Sequence, residues 1–139
     1  MGLVYATITL INGEELILAK RHLIGTDEIK QMNASMFVNS GAYMMAINET
    51  ICEQLSLSIK EKRKVQLANG EIAEYNVAGP IEVRFKNRRS NMDALVLPGN
   101  NEPLLGAIPM EDMDVLIHPQ RQELVVNPEH PYFVQMVMK

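Results

Sequence analysis

Short apolar runs, each closed by a turn signal, recur along this chain, and no stretch keeps a long helical period. Leu3 to Leu10 is rich in β-branched and aromatic residues, Asn12-Gly13 marks a turn, and Leu16 to Ala19 resumes an apolar run, which predicts a hairpin. Residues 21 to 32 lack a clear period and are expected to form a loop or short helix, before Met32 to Val38 reads as a buried strand. Tyr43 to Ile47 is a further extended run. Asn48 then suits a helix N-cap, with Glu49 near the positive helix end and Ile51, Cys52 and Leu55 on one face, in a helix stopping near Leu57.

Val65 to Ala68 and Ile72 to Val77 flank Asn69-Gly70, the strongest hairpin dipeptide in the chain. Ile81, Val83 and Phe85 alternate, Asn87-Arg88-Arg89-Ser90 reads as a polar turn, and Ala94 to Leu97 is another strand. Pro109 to Met113 suits one helical turn, with proline at its start and acids following. Val115-Leu116-Ile117 and Leu124-Val125-Val126 are strands, and the tail ends in an apolar patch from Tyr132 to Met138. Many short strands with only one or two short helices imply an all-β barrel or sandwich. No internal repeat, low-complexity segment or linker interrupts them.

At 139 residues the chain fits one domain. Its 47% hydrophobic and 22% charged content is that of a globular protein. A net charge of −4 leaves no broad positive footprint, so nucleic acid is not an expected partner. No run is long enough to cross a bilayer, and the first residues lack a basic n-region, so neither membrane insertion nor secretion is expected. The single cysteine, Cys52, cannot close an intrachain disulfide, which fits a reducing compartment and a cytoplasmic location. His22, His118 and His130 lack ligand spacing, so no metal is expected; Asp112 and Asp114 read as flanks of the helical turn. Lys60 to Lys64 and Arg88-Arg89 read as solvated loop charges, and Cys52 as core packing.

Two segments carry the chemistry. Met36-Phe37-Val38 leads into Asn39-Ser40-Gly41-Ala42, and about 65 positions further on stands Pro103-Leu104-Leu105-Gly106-Ala107. Together with the hairpin at Asn69-Gly70, this order resembles the retropepsin-like aspartic proteases over most of residues 3 to 127, with asparagine where that family has its catalytic aspartate. The resemblance implies an acid-protease barrel with one active-site half per chain. It implies a homodimer, since one chain holds a single such turn and the family mechanism needs two carboxylates. It places Asn39, Ser40 and Gly41 at the catalytic position, with Gly41 allowing a tight turn. Ala42 with Leu67, Ala68, Asn69 and Gly70 of a flap would contact an extended peptide or protein substrate. No cofactor is implied. Residues 1–127 would form the protease domain and 128–139 a tail available as a dimer-interface strand.

An amide does not titrate near neutral pH and cannot take a proton from water, so with Asn39 the chain is expected to be inactive. The intact Ser40, Gly41 and Leu104-Leu105-Gly106 favour an introduced Asp-to-Asn substitution. The alternatives are a natural pseudo-protease acting as a peptide-binding or dimerisation module, and a structural β-domain of a larger assembly.

Overall fold

A computed structural model describes residues 2–138. Strand β1 (Tyr5–Asn12) lies antiparallel to β2 (Gln31–Val38), from Tyr5 opposite Phe37 to Ile11 opposite Gln31. β2 then runs parallel to β7 (Leu104–Leu105), which borders β3 (Ala46–Asn48); β3 is parallel to β6 (Arg88–Leu97), and β6 is antiparallel to the 14-residue β5 (Ile72–Phe85). The far half of β5 returns to β1, pairing Thr9 with Arg84 and Asn12 with Ile81, and this closes a six-stranded barrel. Closure removes free edges from the ring. Its interior is filled by Ile8, Leu10, Met36, Val38, Ile47, Ile81, Val83 and Leu105, all nearly or completely buried.

β4 (Ser58–Gln66) adds to the outside of β5 and is the one open edge of that sheet. It carries Lys60, Glu61, Lys62, Arg63 and Lys64, all exposed. These charges therefore belong to a strand rather than a loop, and they protect its unpaired backbone from adding further strands. The fold ends with helix α3 (Ala107–Met113) and a separate hairpin of β8 (Val115–His118) and β9 (Glu123–Val126).

The expected hairpin around Asn12-Gly13 does not form. Gly13–Lys20 is a helix, α1, so the described residues hold three α-helices, α2 being Glu49–Gln54. Asn12 caps α1 by accepting the Glu15 N–H at 3.1 Å, Glu14 and Glu15 occupy its first turn, and Lys20 its last. The amide of Asn12 also donates to the Leu55 carbonyl at 2.8 Å, tying α1 to the end of α2. Asn12 is buried, so Asn12→Ala removes a cap and strands a buried carbonyl. The expected loss is about 2 kcal/mol, measured by urea denaturation. A loss under about 0.5 kcal/mol would mean that neither bond matters. Asn48 caps α2 as expected, accepting the Ile51 N–H at 2.9 Å, with Ile51, Cys52 and Leu55 buried.

Candidate active site

β2 delivers the Asn39 turn to the mouth of the barrel between two backbone partners. The Val38 N–H donates to the Val4 carbonyl at 2.8 Å and the Asn39 N–H to the Leu105 carbonyl at 3.0 Å. Asn39 then folds back on its own chain: its Oδ1 accepts the Gly41 N–H at 3.0 Å and its carbonyl the Ala42 N–H at 3.1 Å. Short Asx side chains favour this self-capped turn, and an aspartate would make the same bond more strongly because its oxygen is charged. Asn39 is half-buried, while Ser40 and Gly41 face solvent.

Helix α3 holds the loop that follows. Its first N–H groups have no partner within the helix. Here the Ala107 N–H donates to the Ala42 carbonyl at 2.8 Å and the Ile108 N–H to the Tyr43 carbonyl at 3.1 Å. These bonds bring Gly106 against the loop, where a Cβ would sit 2.3 Å from the Met44 oxygen and 2.8 Å from the Ala42 oxygen. Within one chain, close approach of a neighbouring segment requires glycine at position 106. At Gly41, read from sequence as allowing the tight turn, a Cβ would lie 3.2 Å from Asn39 Oδ1 and meet nothing else within 4 Å of the same chain.

The β4–β5 hairpin ends in a three-residue loop, Ala68-Asn69-Gly70, closed by the Leu67 N–H donating to the Glu71 carbonyl at 2.8 Å. Gly70 N–H bonds the Leu67 carbonyl at 2.9 Å, Asn69 Oδ1 accepts the Glu71 N–H at 2.9 Å, and Gly70 has φ +88°. This is the longer hairpin closure in which a left-handed glycine follows a turn. Leu67 is half-buried; Ala68, Asn69 and Gly70 are exposed.

Strand β4 reaches back toward the Ala42-to-Met44 loop through Arg63, whose Nη1 lies 3.5 Å from Met44 Sδ. Met44, Arg63 and Ile108 border a cavity of about 210 Å³ with Met92 and Asp93. Sequence reading missed this grouping. Arg63 shares the period-2 face of Val65, but that signal was hidden when its charged neighbours were read as loop.

No group of three His, Cys, Asp or Glu side chains among the described residues is placed to hold a metal. Burial, then the nearby Glu53 and Glu49, push the Cys52 thiol up, so it is a protonated packing residue rather than a nucleophile. None of the helices in the described residues is long and apolar enough to cross a membrane.

Residues 26–112, more than half of the chain, match the family described as "gag-polyprotein putative aspartyl protease". The chain belongs to that family. Its fold is similar to the crystal structure of the retroviral protease-like domain of Ddi1 from Leishmania major, with a TM-score of 0.56 at 14% identity, covering 92% of this chain and 90% of that one. No curated protein matches the chain in sequence. The fold is thus retropepsin-like and mostly β, with a closed barrel and three short helices.

The tail leaves β9 without forming a strand, and Tyr132, Phe133, Met136, Val137 and Met138 are exposed. It is held at its start by Asp114, the left-handed cap of α3. Asp114 contacts Asn127 Nδ2 at 3.0 Å, His130 Nδ1 at 2.7 Å and the Gln135 N–H at 3.2 Å. Burial alone would raise the Asp114 carboxyl, but the contacts with Asn127, His130 and Gln135 outweigh it and hold the group below its ordinary range. A depressed carboxyl contributes stability that is complete above its unfolded value, about 3.9, and lost as pH falls through the folded one. The tail anchor is therefore expected to hold above about pH 4 and to loosen only in stronger acid. The Gln135 amide resonance should report an inflection below 3.9. An inflection at or above that value would contradict the assigned anchor.

Proposed function

We propose that two copies of this chain pair to form one aspartic endopeptidase site, with residue 39 of each copy facing the other across a two-fold axis. A single chain supplies one Asn39-Ser40-Gly41 turn, and an isologous dimer doubles it. In the ancestral chemistry, two carboxylates share a proton and hold a water. One takes a proton from the water as it attacks the peptide carbonyl, and the other protonates the carbonyl oxygen. Ser40, exposed within the turn, would donate a hydroxyl hydrogen bond to the second copy. The exposed tail apolar residues would contribute to the dimer interface.

The substrate is an extended peptide lying between the catalytic turn and the Leu67-to-Gly70 flap, bound through its backbone like an added strand. The Met44–Ile108 cavity, with Arg63 at its edge, would accept one of its side chains. The observation that carries this reading is the turn itself. In a member of this protease family, the Asn39 oxygen occupies the self-capped position, backed by Leu105 and Gly106. With an amide in both copies, cleavage is absent while peptide binding remains, as in a pseudo-protease that binds without cutting. We assign the protein to a reducing, cytoplasmic compartment because its one thiol is buried and unpaired.

Light scattering tests the pairing. The expected mass is twice the 15.7 kDa of one chain. A monomer at every concentration up to the millimolar range would end the shared-site reading, and Asn39→Asp then tests the chemistry.

A further inference from the structure

The turn between β5 and β6 is only Lys86-Asn87, so Phe85 stands opposite Arg88 and β6 starts one residue after the turn. Strand alternation then separates two arginines that the sequence reading had placed together in solvent. Arg88 and Ser90 point inward and are 2% and 3% exposed, whereas Arg89 is exposed. A guanidinium stays charged at any ordinary pH, and a buried one calls for a counter-charge and hydrogen-bond acceptors.

Arg88 has few. Its Nη2 donates to the His130 carbonyl, while Nε and Nη1 have no hydrogen-bond partner among the described residues. It joins none of their ion pairs. Asp112, the carboxylate bordering the same cleft, is engaged by Ser90, whose hydroxyl donates to it at 2.5 Å.

That cleft has a volume of about 410 Å³ and lies between the β5–β6 turn, α3 and the tail at Tyr132 to Val134. Asn87, Arg89 and Asn91 also border it, but the Asn87 amide already donates to the Pro131 carbonyl at 3.0 Å, and Arg89 stands on the opposite face of β6, 3.9 Å from Glu82. The unpartnered donors at the cleft are therefore Nε and Nη1 of Arg88, and its one carboxylate, Asp112, is already engaged. We infer that the cleft binds a small oxyanion, a carboxylate or a phosphate, anchored on the Arg88 guanidinium, whose planar fork suits both. No residue of the catalytic turn or the flap tip borders it, so it is a second site independent of residue 39.

The test titrates the full chain with sodium phosphate and with sodium acetate, each against sodium chloride at matched ionic strength. The readouts are the Arg88 Nε–H resonance and the melting temperature. The expected result is a saturable Nε–H shift and a raised melting temperature with phosphate or acetate and neither with chloride. A preference for phosphate would indicate a phosphate ligand, and one for acetate a carboxylate such as a peptide terminus. Arg88→Lys keeps the charge but loses the fork, and should weaken binding at least about tenfold. No saturable Nε–H shift with either anion, or equal stabilisation of Arg88→Lys, would mean an adventitious ion only and overturn the site.

Discussion

Asn39→Asp is expected to give the chain peptidase activity, with kcat/KM on an extended peptide rising at least about a thousandfold over the parent chain. General acid–base catalysis by one well-placed group contributes about 10²–10⁴ in rate, and a symmetric dimer regains both partners of the dyad in one substitution. The turn needs no rebuilding, because an aspartate Oδ1 can accept the Gly41 N–H as the amide oxygen does at 3.0 Å. The activity should peak at acid pH and fall on both sides, since two close carboxylates lose their shared proton in two steps that belong to the pair. Above the second step both are ionised and repel, so Asn39→Asp should also dimerise more weakly than the parent at neutral pH. Deamidation at Asn39-Ser40 would itself supply aspartate, so intact-mass spectrometry must show the parent free of it before its rate is used as the baseline. A folded, dimeric Asn39→Asp that cleaves nothing in a broad peptide library would remove the protease reading and leave the peptide-binding module.

How much of this was legible in sequence depended on whether the signal was local. Asn48-Glu49 and its apolar helix face, the Asn69-Gly70 hairpin and the run into Asn39 were readable because each is decided by residues a few positions apart. Asn12-Gly13 was misread because one dipeptide serves two purposes. The same asparagine that favours a hairpin also caps a helix, and Glu14, Glu15 and Lys20 were the helical signal that should have decided it. Pro80 settles the matter in space, since a Cβ on Gly13 would lie 2.9 Å from its carbonyl oxygen. Lys60 to Lys64 looked like a loop because charge was weighed above position, whereas an edge strand of a mostly closed barrel is where charge protects. Arg88 was unreadable for a different reason. Its burial follows from a two-residue turn that fixes which side of β6 faces α3 and the tail, and these elements come together only on folding. At the site, position 39 was visible from its triplet, but the stitching of Ala42 and Tyr43 to α3 joins segments about 65 positions apart and required coordinates.

That stitching makes Gly106→Ala the most damaging single methyl expected outside the barrel interior. The added Cβ would lie 2.3 Å from the Met44 oxygen, 2.8 Å from the Ala42 oxygen and 3.0 Å from the Met44 carbonyl carbon. All three are backbone atoms, so no rotamer change relieves the contact, and either α3 or the Ala42-to-Met44 loop must move. Moving them apart stretches the Ala107-to-Ala42 and Ile108-to-Tyr43 bonds at 2.8 and 3.1 Å. The expected loss is about 3 kcal/mol, at the upper end for overpacking and a large share of a typical domain's stability. In the Asn39→Asp background it should lower activity further than stability alone explains, because the loop carries residue 39 with it. Gly41→Ala is the control: its Cβ meets one side-chain oxygen at 3.2 Å, so stability should change by less than about 1 kcal/mol. In the Asn39→Asp background, under the proposed dyad, its cost should fall on kcat, since it crowds a side-chain oxygen of residue 39. Urea denaturation of both variants separates these outcomes. If Gly106→Ala unfolds within about 1 kcal/mol of the parent, the Ala42-to-Met44 loop is not pinned by α3. The turn would then owe its shape to the Asn39 side chain alone.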